Sequence, residues 1–460
     1  MIDRTFVRPA RARALLLGAV VAALASGHTT PAFAARATPR MHATLLRSEP
    51  AKDSAVAPPT RIYLVFSEEV EPSLGGIRLV GPGGQVVTLK TAGDPRNVSA
   101  LLAPVPVPLA PGFWRVEWRI VSEDGHPIDG DFSFTVAGGG AAPVAGAVPS
   151  DPDQAHDTVS AAPSSQAAPS DSVATTASPP SPMADVPVLA AALRGLGVGV
   201  LTAFLGLLWL LGTRRDRAPQ PRADRLVSAL AIAAAVLLGL HLVVWALAVS
   251  PDGSLGGDQM GAMLASRVGR MELARAGLAL LACWALVLAR RERLAIAFAV
   301  GAILVSSATG HSAAIHPAWT IPARALHLFA VAAWLGGLLW LLTLERSSVE
   351  VVVTEAQRVS SLALAGVIAV SITGLVQTKF FIGEWGELVR STYGAFALAK
   401  MAGLGVLVLF GAHHRFRVMP RLAEAGIADR FTRTLRTEVA VLSLVILVGG
   451  LLAYIPPPQP

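Results

Sequence analysis

The chain has 460 residues, of which 53% are hydrophobic and 15% charged, whereas a soluble protein of this length carries nearer a quarter charged residues. The apolar residues crowd beyond Val186, so the composition excludes an ordinary soluble globule and marks an integral membrane protein with a long polar front section. A net charge of +7 does not require nucleic acid, because membrane topology accounts for the arginines; the single cysteine, Cys283, excludes an intrachain disulfide and thiolate metal sites, leaving His, Met, Asp and Glu as metal donors.

Residues 1–34 read as a secretory signal peptide. Arg4, Arg8, Arg11 and Arg13 form a basic start, Ala14 to Ala25 a short apolar core, and Ala32-Phe33-Ala34 a small-x-small cleavage site. The apolar core is too short to span a bilayer by itself, so the chain beyond it is expected to be exported. Residues 42–137 then read as an all-β domain. The segments Arg61–Phe66, Gly76–Val80, Gln85–Lys90, Phe113–Val121 and Asp131–Val136 are short, rich in β-branched and aromatic residues, and largely alternating. Turn material separates them, notably Gly81-Pro82-Gly83-Gly84 and Pro111-Gly112. Such spacing predicts a sandwich or a small Greek-key, immunoglobulin-like barrel. Residues 138–185 are Ala, Pro, Ser, Gly, Thr and Asp with almost nothing large and apolar, the composition of a flexible tether or linker.

From 186 to 456 apolar runs recur and predict a polytopic α-helical membrane bundle. The predicted spans fall at about 187–211, 224–249, 273–289, 294–309, 321–343, 359–378, 391–412 and 435–454, about eight transmembrane helices near the ~20 residues a crossing needs. The third and fourth are the shortest. Alternate connections hold Arg214, Arg215, Arg217, Arg222 and Arg225, then Arg290, Arg291 and Arg293, then Arg346 and Arg358, then Arg415, Arg417, Arg421, Arg430, Arg433 and Arg436. The opposite connections hold far fewer basic residues, and the positive-inside rule places the rich set in the cytoplasm. The β domain and the loop after the fourth span are therefore expected outside, on the side the signal peptide independently demands. In a bacterial cell this is a multi-pass inner-membrane protein with a periplasmic N-terminal domain.

Two constellations could carry chemistry. The first is Ser122-Glu123-Asp124-Gly125-His126-Pro127, directly after a strand. In an extended segment Asp124 and His126 point the same way, and Gly125 lets the backbone turn tightly. A carboxylate and an imidazole so placed suit Cu(II) or Zn(II) if another nitrogen donor arrives, and they also suit an ordinary turn. His42 is the other histidine of this domain. The second constellation is His311, His316 and His327, inside the membrane-edge window Ser306–Leu342. An imidazole is costly in hydrocarbon without a partner, a proton or a metal. Three separately hydrogen-bonded histidines satisfy that need, and so does a metal site at the mouth of the bundle.

Other residues stay open at this level. Met260, Met263 and Met271 are either soft donors for Cu(I) or the apolar face of an interfacial segment. His241, mid-span, is either functional or hydrogen-bonded across a helix interface. His413 and His414 beside Arg415 are either interfacial or an exit site, and Lys400 near mid-span needs a partner or a water-filled cavity.

The run from His42 (HATLLRSEPAKDSAVAPPTRIYLVFSEEVEP), with RIVSEDGHPIDGDFSFTV from Arg119 to Val136, resembles the periplasmic copper-binding protein CopC. The membrane part resembles its inner-membrane partner CopD. The matching features are Ala308-Thr309-Gly310-His311, His327 through the WLGGL of Trp334–Leu338, and Thr392-Tyr393-Gly394 followed by Lys400. The resemblance covers essentially the whole mature chain except the tether. It implies a β barrel that binds Cu(II) through His42, Asp124 and His126, and a membrane domain that takes Cu(I) or Cu(II). In the family the histidine begins the mature chain and its free amine is also a ligand. Cleavage after Ala34 leaves Ala35 to Met41 ahead of His42, so either processing follows Met41 or the site lacks one nitrogen donor. No methionine lies between His42 and the tether, so the methionine-rich Cu(I) site of some relatives is absent.

The function so implied is copper binding outside the inner membrane and import or transfer across it, in copper homeostasis or resistance. The implied partners are copper ions, the lipid bilayer and other periplasmic copper carriers. The chain has no GxxxxGK[ST] run for ATP, and the reading is of a metal-handling protein rather than an enzyme. The alternative is a haem-bearing membrane redox protein, which requires two histidines facing each other at similar depth, with His241 and His327 as the pair to test.

Overall fold

The computed structural model describes residues 43–123, 125–138, 188–214, 219–250, 255–345, 347–422, 424, 427–455 and 457–458. The expected signal peptide, His42, Asp124 and the tether from residue 139 onward lie outside the described residues.

The front section is a two-sheet β domain. Its strands are β1 (Leu45–Glu49), β2 (Ala55–Val56), β3 (Arg61–Phe66), β4 (Gly76–Val80), β5 (Val86–Leu89), β6 (Ala92–Asp94), β7 (Asn97–Pro104), β8 (Gly112–Val121) and β9 (Pro127–Val136). One sheet runs β1-β3-β7-β6 and the other β2-β9-β8-β4-β5. The chain changes sheet between β3 and β4 and again between β5 and β6, so the sandwich closes over one core. Alternation decides which side chains enter it: Ile62, Leu64 and Phe66 from β3, and Trp114, Val116, Trp118 and Ile120 from β8, are buried. Each such side chain contributes about 1.5–3 kcal/mol of burial. All five predicted strands are present. Strand β7, at the centre of its sheet, went unpredicted because Asn97-Val98-Ser99-Ala100 lacks the β-branched run that marks the others.

From Val188 onward lie α1 (Val188–Gly212), α2 (Pro221–Val249), α3 (Gly257–Ala265), α4 (Arg267–Val287), α5 (Glu292–Ser307), α6 (His311–Ala314), α7 (Pro317–Thr343), α8 (Val349–Ile382), α9 (Glu387–Arg390), α10 (Thr392–His413) and α11 (Ile427–Leu452). Among the described residues, six helices are long and apolar enough to cross a membrane, namely α1, α2, α7, α8, α10 with its continuation to Arg421, and α11 from Arg430. The expected count of about eight is therefore not confirmed. The other two expected spans are α4 and α5, which form and pack together in the bundle. The 16 residues of α5 rise only about 24 Å, and α4 buries Glu272 and Arg275 in its first half.

The most enclosed spanning helices are α1 and α7. They meet backbone to backbone where Gly206 faces Gly336, since a Cβ on Gly336 would lie 2.3 Å from the Gly206 carbonyl carbon. Small residues at such a crossing let helices approach in a bilayer, which is the physical content of the WLGGL run. At one end of the bundle the arginines gather, as the positive-inside rule leads one to expect. Arg358 donates to Thr213 Oγ1 at 2.7 Å, Arg415 to Ser360 Oγ at 3.0 Å, and Arg436 pairs with Glu345.

The β domain rests on the opposite end. Leu74 and Val121 share one buried cluster with Trp245, Ala246, Val249, Met263 and Val268. The Glu71 carboxylate accepts from the Arg267 and Val268 amides at 3.0 and 3.2 Å, where a negative charge suits the first turn of α4. Arg119 Nη1 donates to Ser250 O at 3.2 Å.

Candidate metal site

Strand β8 ends at Val121, and the chain turns through Ser122–His126 before β9 leaves. The Ser122 amide donates to His126 O at 3.1 Å and the Gly125 amide to Ser122 O at 2.8 Å. Gly125 takes φ +90°, a value that favours glycine, and its carbonyl accepts from Trp245 Nε1 of α2 at 3.0 Å. The turn is thus clamped from both domains, and His126 is 3% exposed.

The His126 ring meets two groups from the bundle end. Its centroid lies 4.7 Å from that of Tyr454, edge-on, and 5.6 Å from that of His311. His311 opens the short helix α6, is buried, and holds its Nε2 3.1 Å from Ile455 O. A carbonyl facing Nε2 is an acceptor for a ring proton held on that nitrogen. A metal bound at ~2.0 Å from a ring nitrogen lies roughly 3 Å from the ring centre, so two imidazoles on one ion have centroids up to roughly 6 Å apart. His126 and His311 stand within that reach.

The surrounding donors are sorted by the same geometry. Among the described residues, no group of three or more His, Cys, Asp or Glu side chains gathers to hold a metal. Asp124 and His42 lie outside the described residues. Their described neighbours share one rim of the sandwich, since Thr44 pairs with Ser67, and Glu69 and Val70 pair with Glu123 and Ser122. A crevice of about 10 Å³, the size of one water, opens beside the turn between Glu123, Arg267, Met271, Thr309 and Gly310. Met271 faces that crevice, Met263 is buried in the docking cluster and Met260 is exposed.

The three histidines of the membrane-edge window are not brought together. His316 caps α7 in a left-handed conformation, is exposed, and lays its ring 5.1 Å from that of Phe380. His327 stands eleven residues further along α7, about 16 Å down the helix axis. It is buried with Nδ1 3.0 Å from Thr373 Oγ1 of α8. Only His311 of the three faces the β domain.

Residues 45–137 match the family described as CopC domain, and residues 353–452 match Copper resistance protein D. Copper resistance protein C of Escherichia coli is 39% identical over 105 residues, covering 21% of this chain and 81% of the relative. The chain belongs to the CopC–CopD copper-resistance family. Copper transport protein CutJ of Bacillus subtilis is 27% identical over 441 residues, 91% of this chain and 75% of that protein, so the likeness runs through both domains. Copper resistance protein D of Pseudomonas syringae pv. tomato is 31% identical over 162 residues, 32% of this chain and 52% of the relative.

Within this CopC–CopD chain, other polar groups lie deeper in the bundle. His241 sits between α1 and α4, with Nδ1 3.0 Å from Ala190 O and Nε2 3.2 Å from Glu272 Oε2. Glu272 also pairs with Arg275, and all three residues are buried. Both His241 nitrogens are engaged by protein groups, so nothing in the arrangement supports the haem reading, which needs one of them for iron. At the arginine-rich end, His414 Nδ1 lies 3.0 Å from Glu438 Oε2, and His414 Nε2 lies 2.8 Å from Thr434 Oγ1. Trp334 of the WLGGL run donates from Nε1 to Glu438 Oε1 at 3.4 Å.

Sequence reasoning missed Glu272, Arg275, Glu438 and Tyr454. The first two were detectable as charges three residues apart inside an apolar run, on one helix face. Tyr454 carried no signal, because only folding brings the last turn of the chain back to the β domain.

Proposed function

We propose that the chain captures copper outside the inner membrane and passes it from the CopC turn to the CopD bundle for import, the copper ion being cargo. One observation carries the reading: the buried contact of His126 with His311, one imidazole from each domain. The CopC-type set of His42, Asp124 and His126 holds Cu(II). His311 then replaces one of those donors, so the ion changes domain by exchange of one ligand at a time and never loses its whole shell. Exchange of this kind favours moderate affinity, so a His42 set lacking the terminal amine still serves delivery.

Below the contact, His327 and then the His414–Glu438 pair continue the line of donors toward the arginine-rich end, which faces the cytoplasm by the positive-inside rule. The ion travels there as Cu(II), or as Cu(I) once a one-electron donor outside this chain has reduced it, and other periplasmic copper carriers supply the outer domain. Nothing in this sequence of ligand exchanges needs a covalent catalytic step. The test is copper accumulation in cells expressing the wild-type chain or His126→Ala/His311→Ala/His327→Ala, together with copper stoichiometry of each purified protein. Import predicts higher cellular copper with the wild type and loss of that gain in the triple variant. Equal copper content and equal stoichiometry would remove the proposal.

A further inference from the structure

Directly beside His311, two guanidiniums converge without a carboxylate. Arg194 of α1 is buried, and its Nη2 donates to Thr309 Oγ1 at 2.7 Å. Arg324 of α7 donates from Nη1 to Ser312 Oγ at 3.3 Å. Between them stands Gly310 at φ +72°. A Cβ built there would meet Arg194 Nη2 at 3.5 Å, Arg194 Nη1 at 3.9 Å and Arg324 Nη1 at 3.9 Å. The two guanidiniums, one from α1 and one from α7, thus approach the same glycine. Neither arginine has a carboxylate within ion-pair distance among the described residues, and their hydrogen bonds go to neutral hydroxyls. The ring of Tyr454, 5.6 Å from Arg194 Cζ, offers only a cation–π contact.

The rest of the neighbourhood adds positive charge. Arg275, 1% exposed, interacts electrostatically with both Arg194 and Arg324, and its Nε and Nη1 have no hydrogen-bond partner. Lys400 interacts with Arg324. The buried carboxylate nearby, Glu272, is already shared between Arg275 and His241. Buried charge persists when it is paired, and here the pairing falls short on the negative side.

We propose that Arg194 and Arg324 form a binding site for a small monovalent anion of halide size at Gly310. Two converging guanidiniums without a carboxylate partner among the described residues supply the charge and the donors for one compact ion. The purpose of the site rests on the copper reading: an anion there offsets the repulsion that the guanidiniums exert on a copper ion at His311, so cation and anion are held side by side. The anion site itself does not depend on copper being the cargo.

The experiment uses the full chain in lipid nanodiscs, free of copper, in sodium chloride, sodium bromide or sodium gluconate at equal ionic strength. The expected result is a thermal midpoint that rises with chloride or bromide and not with gluconate, because a ligand bound only by the folded state shifts its midpoint. Crystals soaked in bromide should show an anomalous peak between Arg194 and Arg324. Arg194→Gln and Arg324→Gln should each abolish the halide-dependent shift. If either variant fails to fold, the wild-type halide series and the bromide peak decide alone. Identical wild-type midpoints in all three salts, or a bromide-soaked crystal with no peak there, would overturn the site. Copper titration in the same buffers is a separate readout: loss of copper binding in every salt speaks against the copper reading and leaves the halide result standing.

Discussion

His126 of the β domain and His311 of the bundle place their ring centroids 5.6 Å apart at a buried seam, tilted 44° to one another. Neither domain alone assembles that pair. If the two imidazoles share one ion during transfer, replacing either with alanine should weaken copper binding by about tenfold or more, ~1.4 kcal/mol. The double variant should cost less than the sum, with a coupling of about 0.5–3 kcal/mol for residues that act together. Competition titration of the full chain with a copper chelator measures both quantities. Strict additivity would mean that the histidines serve separate sites.

His316 supplies the matched control. It is exposed, caps α7 and lies against Phe380 rather than against the β domain. His316→Ala should leave copper affinity within about twofold of wild type and stability within about ±0.5 kcal/mol, as expected of surface changes. A tenfold loss of copper in this variant would move the mouth of the pathway to the outer rim.

The seam itself depends on Trp245, whose Nε1 donates to Gly125 O at 3.0 Å. Trp245→Phe keeps most of the ring and deletes the donor, leaving a buried carbonyl unsatisfied at about 1–3 kcal/mol. Pulsed electron resonance between spin labels on the β domain and on α3 should then show a broader distance distribution. An unchanged distribution would assign the docking to the apolar cluster and Glu71 alone.

Close packing of α1 on α7 is a second structural expectation. Because a Cβ on Gly336 would fall 2.3 Å from a backbone atom of Gly206, Gly336→Ala should destabilise the bundle by about 1–3 kcal/mol through overpacking. Thermal unfolding in detergent would register the loss. The β domain, with its own core, should keep its far-ultraviolet spectrum at temperatures where the helices have separated.

The buried set His241, Glu272 and Arg275 tests how charge is held inside the bundle. Glu272→Gln retains the shape but leaves the Arg275 cation uncompensated, a change worth about 3–5 kcal/mol for a buried pair. Adding Arg275→Met to Glu272→Gln should recover much of that loss. If the single and double variants unfold at the same midpoint, the ion pair is not what holds α4 against α2.

Much of this architecture was legible in composition and pattern. Period-two alternation in Arg61–Phe66 and Phe113–Val121 marked a sandwich, because one face of each strand must be buried. Apolar runs of sufficient length marked the spans, because a bilayer tolerates only backbone satisfied within its own helix. Arginine placement marked the ends of the bundle, and the structure gathers Arg358, Arg415 and Arg436 at the end away from the β domain. The count of spans was less legible, because α5 has only 16 residues and α4 buries Glu272 and Arg275 within its first half.

By itself, then, the sequence determined a β domain, a helical bundle and the histidines each one carries, since these are set by local periodicity and burial. Only the tertiary structure decided which histidines meet. It joined His126 to His311 and Tyr454, left His316 on the rim and set His327 about three helical turns further along α7, because contacts between distant segments depend on how two domains dock. It also gathered Arg194 and Arg324 around Gly310, from three separate stretches of chain. No spacing in a linear chain records such a convergence, since the chain's own rise per residue fixes distances along an element and not between elements.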